Sequence, residues 1–188
     1  MKNLILCFCC MLCHNVAQAQ NIELNDLGAY ERQEVVVVDS VDAAMLYDRA
    51  MLAVSDWGFD HDLDQNGHGL GYHDRSAGQM VFKGAHEQGT KTGLTLAVTR
   101  FIDFEVKVRT KDGRAQVTVK IPTMTAIAST GMKREYTLRQ ILKESQNAGK
   151  KKQERVEDFM KDVVETAEAV LELMKRRLRD GSGLDDDF

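Results

Sequence analysis

The sequence predicts an α+β domain, an antiparallel sheet with helices packed on one face. Three observations carry this: a hairpin pattern from Leu96 to Ile121, an amphipathic helix pattern from Asp42 to Trp57, and a longer one from Lys151 to Arg179. Each helix has one apolar stripe and the hairpin one apolar face. Laying both helices on that face buries all three surfaces. The expected element order is β-α-β-β-β-β-α.

The chain begins with Lys2, an apolar run from Leu4 to Leu12, and Ala17-Gln18-Ala19. A basic start, a short apolar core and a small-x-small site make residues 1–19 a secretory signal peptide, with an apolar run too short to span a bilayer. Cleavage near Ala19 would leave a periplasmic or secreted protein starting at Gln20. A lipoprotein fits less well, because none of Cys7, Cys9, Cys10 and Cys13 has a small residue just before it and Leu three before it. All four cysteines lie in this segment, which excludes a disulfide framework, a thiolate metal site and a cysteine nucleophile from the rest. Without Lys2 the net charge moves from −4 to about −5, which argues against nucleic acid as a partner. No second long apolar segment follows, so the mature chain is not expected to span a membrane.

Residues 20–33 read as a polar leader. Val35 to Val38, β-branched and bounded by charges, read as a buried strand. Ser40 is placed to cap the helix that follows, in which Leu46, Ala50, Ala53 and Trp57 recur at helical spacing before Gly58 stops it. A loop rich in Asp, Asn, His and Gly runs from Phe59 to Gly71. Leu70 and Tyr72 enter a strand, Asp74 to Gly78 turn, and Gln79 to Lys83 return with Met80 and Phe82 on one side. Gly84 to Gly93 reads as a polar connection.

In the hairpin, Leu96, Val98, Ile102, Phe104, Val106 and Val108 occupy even positions, and Ala115, Val117, Val119 and Ile121 odd ones. Asp112-Gly113 supplies a tight turn, since Gly accepts the positive φ required. A turn there sets Val108 opposite Val117, Val106 opposite Val119 and Phe104 opposite Ile121, with Glu105 opposite Lys120 on the other face. Pro122 should end the second arm, having no N–H for a ladder. The pattern of 123–136 leaves edge strand and loop both open. Thr137-Leu138-Arg139-Gln140 matches a capping box, opening a short helix to about Asn147. From Lys151 to Arg179, Val156, Phe159, Met160, Val163, Ala167, Val170, Leu171, Met174 and Leu178 keep helical spacing over roughly 40 Å. Gly181 stops this helix, closing a domain of residues 34–180, and 181–188 form an acidic tail.

The order of elements, with Leu46-Tyr47-Asp48-Arg49-Ala50, the stretch Asp74 to Gly84 containing Gly78-Gln79-Met80 and Lys83-Gly84, and the turn Lys111-Asp112-Gly113-Arg114, resembles a family of exported domains of unknown function from Bacteroides-type bacteria. The resemblance implies a TATA-binding-protein-like (TBP-like) fold and brings no catalytic residues. It does not imply DNA binding: the outward hairpin residues are mixed in sign, unlike a basic saddle on the minor groove.

The sharpest local pattern is Asp62-Leu63-Asp64-Gln65-Asn66-Gly67. Oxygens at positions 1, 3 and 5 and Gly at 6 match the first half of a calcium loop, with Asp62, Asp64 and Asn66 as candidate Ca2+ ligands. Position 12 is His73 rather than a bidentate Glu, so a plain hydrophilic turn competes with this reading. His61, His68, His73 and His86 lack the i, i+4 spacing of a zinc site, and no nucleophile elbow or phosphate loop occurs. The expectation is therefore a non-enzymatic module of the cell envelope with no resident cofactor, engaging a protein or small ligand. Its candidate binding residues are Glu105, Lys107, Arg109, Gln116, Thr118 and Lys120 on the open sheet face. The calcium module is the alternative.

Overall fold

The computed structural model describes residues 22–59, 62–93 and 96–181. The signal peptide and residues 182–188 of the acidic tail lie outside the described residues. Along the chain come β1 (Tyr30–Val37), α1 (Ala43–Asp56), β2 (Gly69–Asp74), β3 (Gln79–Thr92), β4 (Ala97–Lys111), β5 (Arg114–Ala128), β6 (Lys133–Thr137), α2 (Leu138–Gln146) and α3 (Lys150–Asp180). The strands form one antiparallel sheet in the order β1-β5-β4-β3-β2, with β6 also paired to β5. The fold class is the expected one. A fifth strand after α1 and the short α2 extend the element order.

The β4–β5 hairpin forms in the expected register near its turn, with Lys111 opposite Arg114, Val108 opposite Val117, Val106 opposite Val119 and Glu105 opposite Lys120. The register then shifts, so that Asp103 faces Thr123. Phe104 and Ile121 fall at this irregularity instead of forming the expected pair, yet both are buried. Pro122 sits at the shift and does not end the strand. On the outer edge of β5, β1 pairs as far as Ile121 and β6 begins at Thr123. Proline, lacking an N–H, thus occupies the seam between two partners, where no ladder bond is interrupted.

Three other expectations are corrected. Val35 to Val38 are not a fully buried strand: β1 starts earlier, at Tyr30, and lies at the sheet edge with Val36 buried while Val35 and Val37 are 55% and 61% exposed. The last four residues of the polar leader, 30–33, are therefore strand. Asp42, not Ser40, caps α1, its Oδ1 accepting from the Met45 amide at 2.7 Å. The stretch 84–92 continues β3 to Thr92, paired with β4 through a bulge at Glu87–Gly89.

Both long helices cover the apolar face. α1 buries Leu46, Tyr47, Ala50, Ala53 and Val54, and α3 buries Met160, Val163, Ala167, Leu171, Met174 and Leu178. Beneath them lie Val36, Met80, Phe82, Ile102, Val106, Val108, Val117, Val119 and Ile121, so the core is helix stripe on sheet face. Arg49 of α1 donates to the carbonyls of Leu178 and Arg179, satisfying the free end of α3, and Gly181 closes that end with φ +57. Arg32–Glu168 (3.0 Å) and Lys175–Glu34 (2.9 Å) tie α3 to β1. The Thr137–Gln140 capping box starts α2 as expected.

Candidate functional site

With the helices on one side, alternate residues of every strand point to the other. The six candidate binding residues all belong to this open face, and the register arranges them in rows across the strands. One row reads Glu31, Lys120, Glu105, Lys83, alternating in sign, with Lys83 Nζ 3.8 Å from Glu105. Alternation neutralises this row. The next reads Gln33, Thr118, Lys107, Val81, in which Thr118 Oγ1 donates to Gln33 Oε1 at 3.3 Å. The third reads Val35, Gln116, Arg109, Gln79.

Lys107 and Arg109 make no ion pair with any described residue, although they stand two residues apart on β4. With Glu31, Gln33, Gln116 and Thr118 they line a shallow depression of about 190 Å³. Glu105 and Lys120 stand in the row beside it. Glu31 and Gln33 were missed in the sequence because they fall in the stretch read as leader. Their neighbours Arg32 and Glu34 face α3 through ion pairs, so all four residues are polar and no alternation marked the strand.

Beyond the register shift the open face carries a different group. Asp103 Oδ2 accepts from Thr123 Oγ1 at 3.1 Å and from Thr125 Oγ1 at 2.7 Å, and its other oxygen lies 3.8 Å from His68 Nε2. The imidazole thus faces a carboxylate rather than a hydroxyl. This group braces β5 to β4.

In the 62–67 loop, Asp64 Oδ1 accepts from the amides of Asn66 (2.7 Å) and His68 (3.0 Å). The His68 amide, helped by that of Asn66, holds the Asp64 carboxyl below its ordinary range. Asp62 forms an isolated bridge to Leu70. Among the described residues no group of three or more His, Cys, Asp or Glu is gathered for a metal.

The residues that carry the family resemblance meet at the hairpin tips. Asp48 receives a two-pronged contact from Arg75 (2.8 and 2.6 Å), which holds its carboxyl below the ordinary range. Asp74 accepts from Ser76 Oγ and the Ala77 amide, shaping the β2–β3 turn. Gly78 lies against Thr110, whose amide donates to its carbonyl at 2.8 Å; a Cβ there would meet Thr110 Oγ1 at 2.6 Å. Asp112 accepts from the Ala43 amide at the start of α1, and the Gly113 amide donates to Val41. A cleft of about 1060 Å³ opens here. Its Arg75 is spent on Asp48, and the first α1 amides on Asp112 and Asp42. These residues lock two turns to one helix.

A single antiparallel sheet with helices on one face and the other left open defines the class as a TBP-like α+β fold. The chain is similar to two solved structures. One is a DUF4468 family protein from Bacteroides ovatus, at 11% identity and TM-score 0.58, covering 88% of this chain and 92% of that one. The other is a TBP-like protein from Parabacteroides distasonis, at 9% identity and TM-score 0.50, covering 82% and 97%. At such identities the likeness is one of fold. No family model matches the chain, and no curated protein matches it. No helix among the described residues is long and apolar enough to cross a membrane.

Proposed function

We propose that this chain is an exported, non-enzymatic binding module of the bacterial cell envelope that receives an acidic segment of a protein partner on its open sheet face. The observation that carries the reading is the pair Lys107 and Arg109. Among the described residues these two cations pair with no carboxylate and no helix covers their face; the depression around them is otherwise lined by amide, hydroxyl and one carboxylate group. Antiparallel sheets often leave one face to water. What favours a partner here is the contrast with the neighbouring row, whose charges are already matched along the strands. Export is supported by Lys2, the Leu4–Leu12 run and Ala17-Gln18-Ala19.

The test compares the chain from Gln20 with its Lys107→Glu/Arg109→Glu variant as baits for envelope proteins, with an aspartate-rich peptide as competitor. A partner held by the native chain, displaced by the peptide and lost with the variant supports the reading. Equal capture by both baits overturns it. Running each arm with calcium and with chelator shows whether the 62–67 loop takes part.

A further inference from the structure

On the helix side, α3 packs over β1, β5 and α1, and diverges from β3. The divergence leaves a cleft of about 660 Å³ between the middle of α3 and the strands, within the size range of small-molecule sites. Trp57, Phe59 and Phe104 line it. They join Phe82 in one aromatic cluster, with Trp57 5.5 Å from Phe82, and Phe59 6.4 Å from Phe82 and 6.1 Å from Phe104, ring centre to ring centre. Gly84 makes this arrangement fit, since a Cβ there would come within 2.6 Å of both the Phe59 and Phe104 rings. Although large and apolar, Trp57 and Phe59 are only partly buried.

The rim is of one sign. Asp162 and Glu165 of α3 line the cleft with His86, and among the described residues no lysine or arginine does; Glu87 borders it through its backbone, since its register opposite Phe101 turns its side chain to the other face. Asp162 accepts from Gln88 Nε2 at 2.8 Å, a contact that ties α3 to β3 across the opening. Glu165 makes no hydrogen bond or ion pair with any described residue. Aromatic faces carry negative charge density and attract a cation, and carboxylates beside them add to that attraction. An anion would meet repulsion from both, and a neutral apolar ligand would leave the carboxylates unused.

We propose that this cleft binds a small organic cation, an ammonium group carried on an apolar body. The ammonium lies toward Glu165 and Asp162, and the body rests on Trp57, Phe59 and Phe104. The site is on the opposite side of the sheet from Lys107 and Arg109, and stands or falls independently of the partner surface.

Trp57 is the sole tryptophan, so its emission reports on the cleft directly. The full chain from Gln20 is titrated with benzyltrimethylammonium, benzyl alcohol and benzenesulfonate, with calorimetry in parallel. The expected result is a saturable change for the cation, with Kd on the order of 0.1–1 mM for a ligand of this size. Benzyl alcohol should bind more weakly and benzenesulfonate not at all. Asp162→Asn/Glu165→Gln should weaken the cation about tenfold and erase its advantage over the alcohol. Ala169→Phe, at an exposed position of α3 that lines the cleft, should abolish the response while thermal melting stays unchanged. Lys107→Glu/Arg109→Glu should leave binding intact. A merely linear, collisional response, equal binding of the sulfonate, or cation binding that survives both cleft variants overturns the proposal.

Discussion

The two halves of the long hairpin are held together by different forces. From Glu105 to Lys120, next to the turn, every inward residue is buried beneath a helix, and the β4–β5 and β2–β3 tips are pinned to α1 by Asp112 and the Asp48–Arg75 pair, with Gly113 bonded to Val41 just before that helix. Beyond Pro122, β4 and β5 continue beside β6 and the far end of β3, where most side chains are polar or half exposed. There the ladder itself and small polar contacts hold the strands, such as Thr90–Thr99 at 2.8 Å and the hydroxyls on Asp103. Equal strand length therefore does not mean equal stability.

The largest expected effect comes from emptying the near half. Phe82→Ala, at a fully buried position, should cost about 3–5 kcal/mol in urea melts, whereas Thr99→Ala in the far half should stay within about 0.5 kcal/mol. Comparable losses at the two positions would erase the contrast. Gly78→Ala attacks the tip lock. The added Cβ would collide with Thr110 at a φ of +61, which should cost about 1–3 kcal/mol and lower the melting temperature without touching the far strands.

The next test uses pH. Burial raises the Tyr47 phenol above its ordinary value near 10, with Asp48 and Asp74 adding to the shift. The folded chain then holds this proton more tightly than the unfolded chain. Stability is full below about pH 10 and falls as pH rises through the higher folded-state value. Tyr47→Phe should flatten that alkaline limb in melts recorded between neutral and alkaline pH. On the acid side the sign reverses: the lowered Asp48 carboxyl stabilises above about pH 4, and its contribution is lost as pH falls through the lower folded-state value. The smallest effect lies at the start of α3, whose first turn carries Lys150, Lys151 and Lys152 and no acid. Lys151→Glu should stabilise by about 0.3–1 kcal/mol at low salt, read as a raised melting temperature.

What could be read from the sequence divides along the same line. In the near half, strict alternation and the Asp112-Gly113 turn fixed the register residue by residue, and that register put the six candidate residues on the open face. Helical spacing likewise exposed α1 and α3, because each buries one stripe. In the far half the signal is weak for physical reasons. Gly84, Gly89 and the bulge beside it break the alternation of β3, Pro122 reads as a stop unless a seam is foreseen, and β6 is almost wholly polar. The aromatic cleft was invisible for another reason: Trp57 and Phe104 lie 6.3 Å apart in space but far apart in the chain. Only the packing of α1 against the sheet brings them together.

The seam at Pro122 also bears on how the molecule opens. The outer edge of β5 is shared between β1, up to Ile121, and β6, from Thr123, with no hydrogen bond required of the residue between them. A continuous partner strand would couple the whole edge into one cooperative unit. Two abutting partners let β6 and the start of α2 detach while β1 stays paired. Those amide protons of 123–127 that are bonded to β6 should then exchange with solvent through a local opening that leaves the β1-bonded amides of 114–121 protected, giving one strand edge two lifetimes.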